Sequence, residues 1–431
     1  MPPLSRRQWT PEPIKTLGIP KEMHRRDQNM ILKSTPKAMR FVLLLGVVSL
    51  LADVTYEAAR SISGPFLAVL GASAALVGLV AGLGELIGYG LRVVSGILSD
   101  RTGRYWTMTL LGYAVNLLAV PALALAGRWE VAAVLLIAER FGKSIRTPAR
   151  DAMLSHAAAD VGRGWAFGIH EAMDQIGAVL GPLLMAAVLA WKSDYRYGFA
   201  ILLIPALLAL SVLVIARFIY PHPAAFEADG KEPARHLAAP FWLYLGASAC
   251  FAFGFADFPL IAYHIKTTRL LQDQWIPFLY AIAMGIDAVS ALLLGRWYDR
   301  KGLVVLAAVA VLSAGCAPLV FLTPLAGVIA GMAVWGIAMG AFESIVRAAV
   351  SELVPKHQRA TGFGIFNAGF GLAWFAGSAL MGFLYERSLL AASVISAASI
   401  LLSVPLIFLV RKKQQMTAES DGAGLPNPNK E

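Results

Sequence analysis

Charge is scarce in this sequence. Charged residues make up 15% of it and hydrophobic ones 58%, whereas a soluble chain carries about a quarter charged residues. A water-soluble globule is excluded, because the apolar residues fall in runs long enough to cross a bilayer. Cysteine is scarce too. Cys250 and Cys316 lie in separate apolar runs, which suggests neither a disulfide framework nor a metal site. Short stretches of alternating polarity are missing, which argues against an outer-membrane barrel. A nucleotide-binding domain is also missing, so ATP-driven pumping by this chain alone is excluded. Gly82-x-Gly84-x-x-x-Gly88 lies inside an apolar run with no strand before it, and reads as helix packing rather than a dinucleotide loop. His170-Glu171-Ala-Met-Asp174 opens like a zinc-protease motif but ends in aspartate. An enzyme is not expected, and no cofactor or metal is.

The net charge of +10 could suggest nucleic acid. The basic residues instead cluster at the ends of apolar runs, as charge-biased membrane insertion requires, so no nucleic-acid partner is expected. The runs predict helices near 39–62, 73–98, 105–126, 130–155, 163–190 and 197–219, then 240–264, 274–297, 303–322, 325–350, 359–385 and 389–410. The expected fold is an all-α membrane protein of twelve transmembrane helices in two six-helix bundles, 39–219 and 240–410. Residues 1–38 read as a disordered basic tail, 220–239 as a polar linker and 411–431 as a second tail. One face collects Arg101, Arg104, Arg163, Lys231, Arg235, Arg296, Arg300, Lys301, Lys356, Arg359 and Arg411 to Lys413; the other holds far fewer cations. That asymmetry puts both termini in the cytoplasm of a multi-pass protein, expected in a bacterial inner membrane.

Two turns stand out. Gly96-Ile-Leu-Ser-Asp100-Arg101-Thr-Gly103-Arg104 joins the second and third runs, and Gly295-Arg-Trp-Tyr-Asp299-Arg300-Lys301-Gly302 joins the eighth and ninth. Other segments match as well. Arg163-Gly-Trp-Ala-Phe167-Gly168-Ile169 parallels Arg359-Ala-Thr-Gly-Phe363-Gly364-Ile365, and Gly181 falls opposite Gly377. Such duplication is typical of transporters whose halves move against each other. The first turn resembles the signature loop of the major facilitator superfamily, with Tyr105 where the family usually has another basic residue. The resemblance covers about Arg40 to Val410. Gly177-x-x-x-Gly181-Pro182 is similar to the superfamily's antiporter motif, although Met185-Ala186 replaces the customary glycine pair. The fourth run, Ala138 to Asp151, departs from the family's usual pattern and resembles a poorly characterised bacterial branch. The resemblance implies two parallel repeats around a central cavity lined by the first, fourth, seventh and tenth helices.

Charges within the runs are the candidate site, because a charge at mid-bilayer needs a partner, a wet cavity or a function. Asp53, Glu57 and Arg60 share one helical face, and so do Glu85 and Arg92. Glu139, Lys143, Arg146 and Arg150 form a stripe with Arg140 and Asp151 beside it; His170, Glu171 and Asp174 follow on the fifth run. The second half offers Asp257, His264, Asp287, Glu343 and Arg347. Of these, Asp53, Glu57, Arg60, Glu85, Arg92, Glu139, Lys143, Arg146, Asp174, Asp257 and Glu343 are the candidates for proton coupling or substrate binding. An acid in an apolar wall holds its proton more readily and can release it when access switches. Structural alternatives stand beside this reading. The Asp53 triad could be locally neutralised, the histidine cluster could be pinned to Lys143 and Arg146, and Glu343 could pair with Arg347. Gly96, Asp100, Arg101, Gly103, Arg104, Arg150, Asp151, Asp299 and Arg300 are expected to form a cytoplasmic gate, through Asp100–Arg150 and Arg104–Asp151 pairs and an approach of Asp100 to the eleventh helix near Thr361.

The expected function is secondary transport of a small solute by alternating access, with protons as the driving partner, the bilayer as the medium and a monomer as the unit. Proton antiport leads. Proton-coupled import of an anionic solute held by Lys143, Arg146 or Arg92, and a non-transporting scaffold with the same fold, remain the alternatives.

Overall fold

The computed structural model describes residues 21–161, 163–221, 237–354 and 359–423. Among these the chain is helical throughout, with no strand. The first bundle comprises α1 (Lys21–Val69), α2 (Ala74–Thr102), α3 (Tyr105–Ala122), α4 (Trp129–Val161), α5 (Arg163–Lys192), α6 (Tyr195–Ile201) and α7 (Leu203–Ile219). The second comprises α8 (Ala239–Gly254), α9 (Phe258–Thr267), α10 (Trp275–Lys301), α11 (Val304–Ser313), α12 (Cys316–Leu322), α13 (Leu325–Ala341), α14 (Arg347–Leu353), α15 (Arg359–Arg387) and α16 (Leu389–Ala423). Pairs α6–α7, α8–α9, α11–α12 and α13–α14 are each one broken span. Eleven helices or helix pairs are long and apolar enough to cross a membrane. α4 makes the twelfth span by length, 33 residues, but carries too many charges to qualify on composition.

Two boundaries differ from the sequence expectation. α1 begins at Lys21, so part of the segment expected as a disordered tail is helix, and α16 continues to Ala423. Residues 1–20, most of the linker (222–236) and 424–431 lie outside the described residues.

Both charged turns close on a glycine of positive φ. Gly103 sits at φ 63° with its N–H donating to the Ser99 carbonyl at 2.9 Å. Gly302 sits at φ 62° and donates to Tyr298 at 2.7 Å. A left-handed residue just past a helix end requires glycine. Exposed Arg101, Arg104, Arg300, Lys301, Arg411 and Lys412 mark this basic face of the molecule.

Each bundle has its own apolar core, around Phe41, Tyr113 and Phe199 in the first and Phe255, Phe258 and Trp335 in the second. Lipid is as apolar as these side chains, so close packing rather than water exclusion holds the helices together. The matched glycines show how. Gly181 lies against the backbone of α1 at Val54 and Ala58, and Gly377 against the backbone of α8 at Phe253. Equivalent helices therefore meet equivalent partners in the two halves. A side chain at either position would drive the backbones apart. Gly181→Leu is expected to lower stability by ~1–3 kcal/mol, the usual cost of overpacking, read as a fall in Tm of the detergent-solubilised protein. An unchanged Tm would show that α1 and α5 can separate without loss.

The bundles close on each other toward the face opposite the basic one. Gly64 abuts the Pro259 backbone, Gly78 meets Ser378 and Gly382, and the Ala75 N–H donates to Glu386 Oε1 at 2.8 Å.

Candidate functional site

A cavity of about 770 Å³ lies between the bundles and reaches toward the basic face, where Arg150, Asp151, Leu154 and Phe167 line it. Of the candidate residues, Asp53, Glu57, Arg60, Glu85, Arg92, Lys143, Arg146, Asp174 and Glu343 border it. Glu139 and Asp257 do not. They line a smaller recess of about 40 Å³ that continues from Tyr56, Arg60 and Glu85 toward the opposite face.

The floor of the cavity is an ion cluster tying three helices. Arg60 on α1 and Arg140 on α4 reach Glu85 Oε1 on α2 at 3.2 and 3.3 Å. Arg140 also contacts Glu139 at 3.3 Å, and Arg60 stands 4.0 Å from Glu57. Asn116 on α3 donates to Glu139 Oε1 at 2.7 Å, and Tyr280 on α10 donates to Glu57 Oε2 at 2.6 Å. Glu57 is thus the link between the charged bundle and its drier partner. Asp53 borders the cavity beside Tyr56 and makes no ion pair among the described residues.

Above the floor, two cations lie on aromatic faces. Lys143 Nζ is 3.7 Å from the Tyr56 ring centre, and the Arg146 guanidinium is 4.1 Å from that of Tyr113. Arg146 is buried, with Nε and Nη1 lacking hydrogen-bond partners. Neither residue has a carboxylate within ion-pair distance among the described residues. Cation–π contact is strong when desolvated, but leaves the N–H groups able to bind an anion.

The wall from the second bundle is built on two interruptions. α8 stops at Gly254 and α9 restarts at Phe258, with Pro259 in the first turn, where its missing N–H costs nothing. At the break one tryptophan takes up a freed backbone carbonyl and another the Asp257 side chain. Trp335 donates to the Ala256 carbonyl at 3.0 Å and Trp374 to Asp257 Oδ1 at 2.8 Å, while Ser378 donates to Asp257 Oδ2. Asp257 therefore pins α15 to the break. Glu343 lies on a π-helical turn, Phe342–Val346, and accepts from Gln175 on α5 at 3.1 Å. Such turns often mark functional sites.

Several expected pairings are not the ones formed. Arg150 is held by its neighbour Asp151 at 2.8 Å and by Ser49 Oγ at 3.0 Å. Its side chain turns toward α1, so no Asp100–Arg150 pair exists. Asp100 is exposed and accepts from Tyr105 at 3.2 Å. Arg104 and Asp151 likewise do not pair. His170 contacts Asp174 on its own helix at 3.5 Å rather than Lys143 or Arg146. The Arg347 side chain lies outside the described residues. Gly96, Arg101, Gly103, Asp299 and Arg300 lie at the basic-face ends of α2 and α10, outside the cavity lining. Sequence reasoning missed Tyr56, Tyr280, Asn116, Gln175 and Trp374. Only Asn116, a lone amide in an apolar run, carried a signal.

The sequence model of the Major Facilitator Superfamily matches residues 45–341 and 258–429. An uncharacterized protein of Mycobacterium tuberculosis is 42% identical over 382 residues, covering 87% of this chain and 93% of that relative. An uncharacterized MFS-type transporter of Methanocaldococcus jannaschii is 29% identical over 360 residues, covering 80% and 89%. Among solved structures, the nucleoside transporter NupG superposes with a TM-score of 0.66 at 14% identity, over 86% of this chain and 98% of that one. A bacterial homolog of the human lysosomal transporter Spinster, inward-facing and occupied, gives 0.67 at 16%, over 88% and 97%.

Proposed function

The chain belongs to the major facilitator superfamily, and from its cavity we propose that it moves a small solute by alternating access, driven by proton exchange. The cavity carries the reading. It lies between two bundles, it is lined with both signs of charge, and Asp53 borders it without an ion pair. A scaffold would have let its acids pair off and its central path close. Packing at Gly64, Gly78 and Ala75 with the cavity reaching the basic face supports an inward-facing state, with the basic face cytoplasmic and the protein a monomer in a bacterial inner membrane. The two bundles correspond to about 39–219 and 240–410. Antiport is favoured over import by the α5 glycines, which seat that helix tightly on α1. The test is purified protein in liposomes under an imposed pH gradient, screened against pooled solutes. Accumulation that collapses with a protonophore supports the reading; gradient-independent flux overturns it.

One observation favours a second reading, proton-coupled import of an anionic solute. Lys143 and Arg146 face the cavity over aromatic rings with no carboxylate partner. Anionic members of the pool retained only on the inside of the vesicles would select it.

The gate is proposed in a narrower form than the sequence suggested. Val93 on α2 packs on Gly364 near the start of α15, so Asp100, further along α2, lies toward the positive end of that helix. When the bundles close on the cytoplasmic side, Asp100 engages it, at about 0.3–1 kcal/mol. Asp100→Asn is expected to raise the labelling rate of a Thr147→Cys cavity probe from the cytoplasmic side about two- to five-fold, since a state changes occupancy only through contacts it alone possesses. Unchanged labelling with lost transport would place Asp100 elsewhere in the cycle.

A further inference from the structure

We infer that Asp287 is a proton-binding site in the second bundle, loaded from the cavity by way of Glu343; this deepens the proton-coupled reading and rests on it. Asp287 lies within α10 and is 0% exposed, and neither carboxylate oxygen has a hydrogen-bond partner among the described residues. Asp53 also makes no ion pair among the described residues, but it borders the open cavity; the following buried acids are all engaged. Glu57 accepts from Tyr280, Glu139 from Asn116 and Asp257 from Trp374 and Ser378, while Glu85 holds two arginines.

The surroundings of Asp287 offer little to balance a negative charge. The π turn brings Glu343, α5 brings Glu171, and α1 brings Glu57 and Arg60. Arg60 already serves Glu57 and Glu85. α11 and α13 bring no charged residue, and the His264 and Lys266 side chains of α9 are engaged by Tyr385 and Asp273. A bare carboxylate so placed has neither water nor a cation of its own to stabilise it, so the site accommodates the neutral acid.

Access comes from the π turn. Just before it, Gly340 lets the α13 backbone sit directly on the Asp287 carbonyl. The turn holds Glu343 at the cavity, joined to Gln175 of the other bundle, and Met284 puts the preceding turn of α10 on the cavity wall. Glu343 therefore has Asp287 behind it and the solute space before it. Asp287 releases its proton to the Glu343 carboxylate, and Glu343 passes it to cavity water; reloading runs in reverse. Rocking of the bundles moves α5 against α10 and so ties that exchange to access.

Infrared spectroscopy of the full chain in lipid at neutral pH tests the site without any substrate. Carboxyl-labelled aspartate in the wild-type chain is expected to shift a protonated-carboxyl C=O band, and Asp287→Asn is expected to remove that band. A spectrum with no aspartic-acid band, or one unchanged by Asp287→Asn, overturns the inference. A band abolished by added sodium overturns it too, since the ligand would then be a metal cation. The link to transport is read by maleimide labelling of Thr147→Cys, in a chain with Cys250 and Cys316 replaced by serine. That rate, divided at each pH by the rate of the same cysteine in the denatured chain to remove thiol ionisation, is expected to change several-fold between acid and alkaline pH in the otherwise wild-type chain and to become flat with Asp287→Asn. Persistent pH dependence in that variant overturns the coupling role of Asp287. A flat rate in the wild-type background overturns the proton-coupled reading itself, and the infrared band then decides alone whether Asp287 carries a proton.

Discussion

Alanine in place of Glu85 is expected to cost about 3–5 kcal/mol of stability, the usual result of leaving a buried charge without its partner. Glu85 Oε1 is shared by Arg60 and Arg140, whose side chains are only 12% and 16% exposed. Glu57 and Glu139 each hold one of these guanidinium groups, but the carboxylate that bridges them is lost and two cations from different helices are left to repel. The loss should appear as a fall in Tm and in the yield of monodisperse protein from detergent. Adding Arg140→Leu should recover part of it, because the second change removes one of the stranded charges; pairs that touch are non-additive in this way. An alanine variant as stable as the parent would mean that cavity water already solvates both guanidinium groups.

Asp53→Asn is expected to abolish pH-driven flux while leaving the fold intact. No ion pair depends on Asp53, so neutralising it strands nothing. Glu139→Gln should behave in the opposite way. Its oxygens are engaged by Asn116 and Arg140 and it does not border the main cavity, so that variant should lose stability first and keep whatever coupling survives. Wild-type flux in Asp53→Asn would remove it from the mechanism and leave Glu343 as the cavity acid to examine. In either case flux is counted per folded protein, measured on the same vesicles.

The contrast between these acids shows where sequence reading stops. Apolar run lengths match the eleven spans that qualify on composition, and the Gly103 and Gly302 turns were legible because glycine best suits a positive-φ exit. Spacing also placed Asp53, Glu57 and Arg60 on one face. It could not say that Arg60 would leave Asp53 for Glu85, or that Tyr280 from the other bundle would reach Glu57. Those choices depend on how each helix is rotated against its neighbours, and that is set by glycine contacts such as Gly181 on Val54 and Ala58. Arg150 is the clearest case. Its depth matched Asp100, yet a small rotation of α4 gave it to Ser49 and Asp151. The α8–α9 break was hidden because Asp257 and Pro259 fall inside one long run, 240–264, although together they mark it. The π turn left no mark at all, since one extra residue per turn changes no residue type.

α4 has a consequence for how the protein is made. Its charges sit in the middle of the span, and each costs a few kcal/mol at the centre of a helix entering lipid alone. The neighbours that take them up, Glu85 on α2 pairing with Arg140 and Asn116 on α3 donating to Glu139, emerge from the ribosome before it. α4 can therefore leave the translocon only as part of a group, docking its arginine onto helices already waiting in the bilayer. The order of the genetic message thus does part of the work of assembly: the acid of α2 is in place before the bases of α4 need it, and a ribosome reading the helices in another order would strand the fourth one in water.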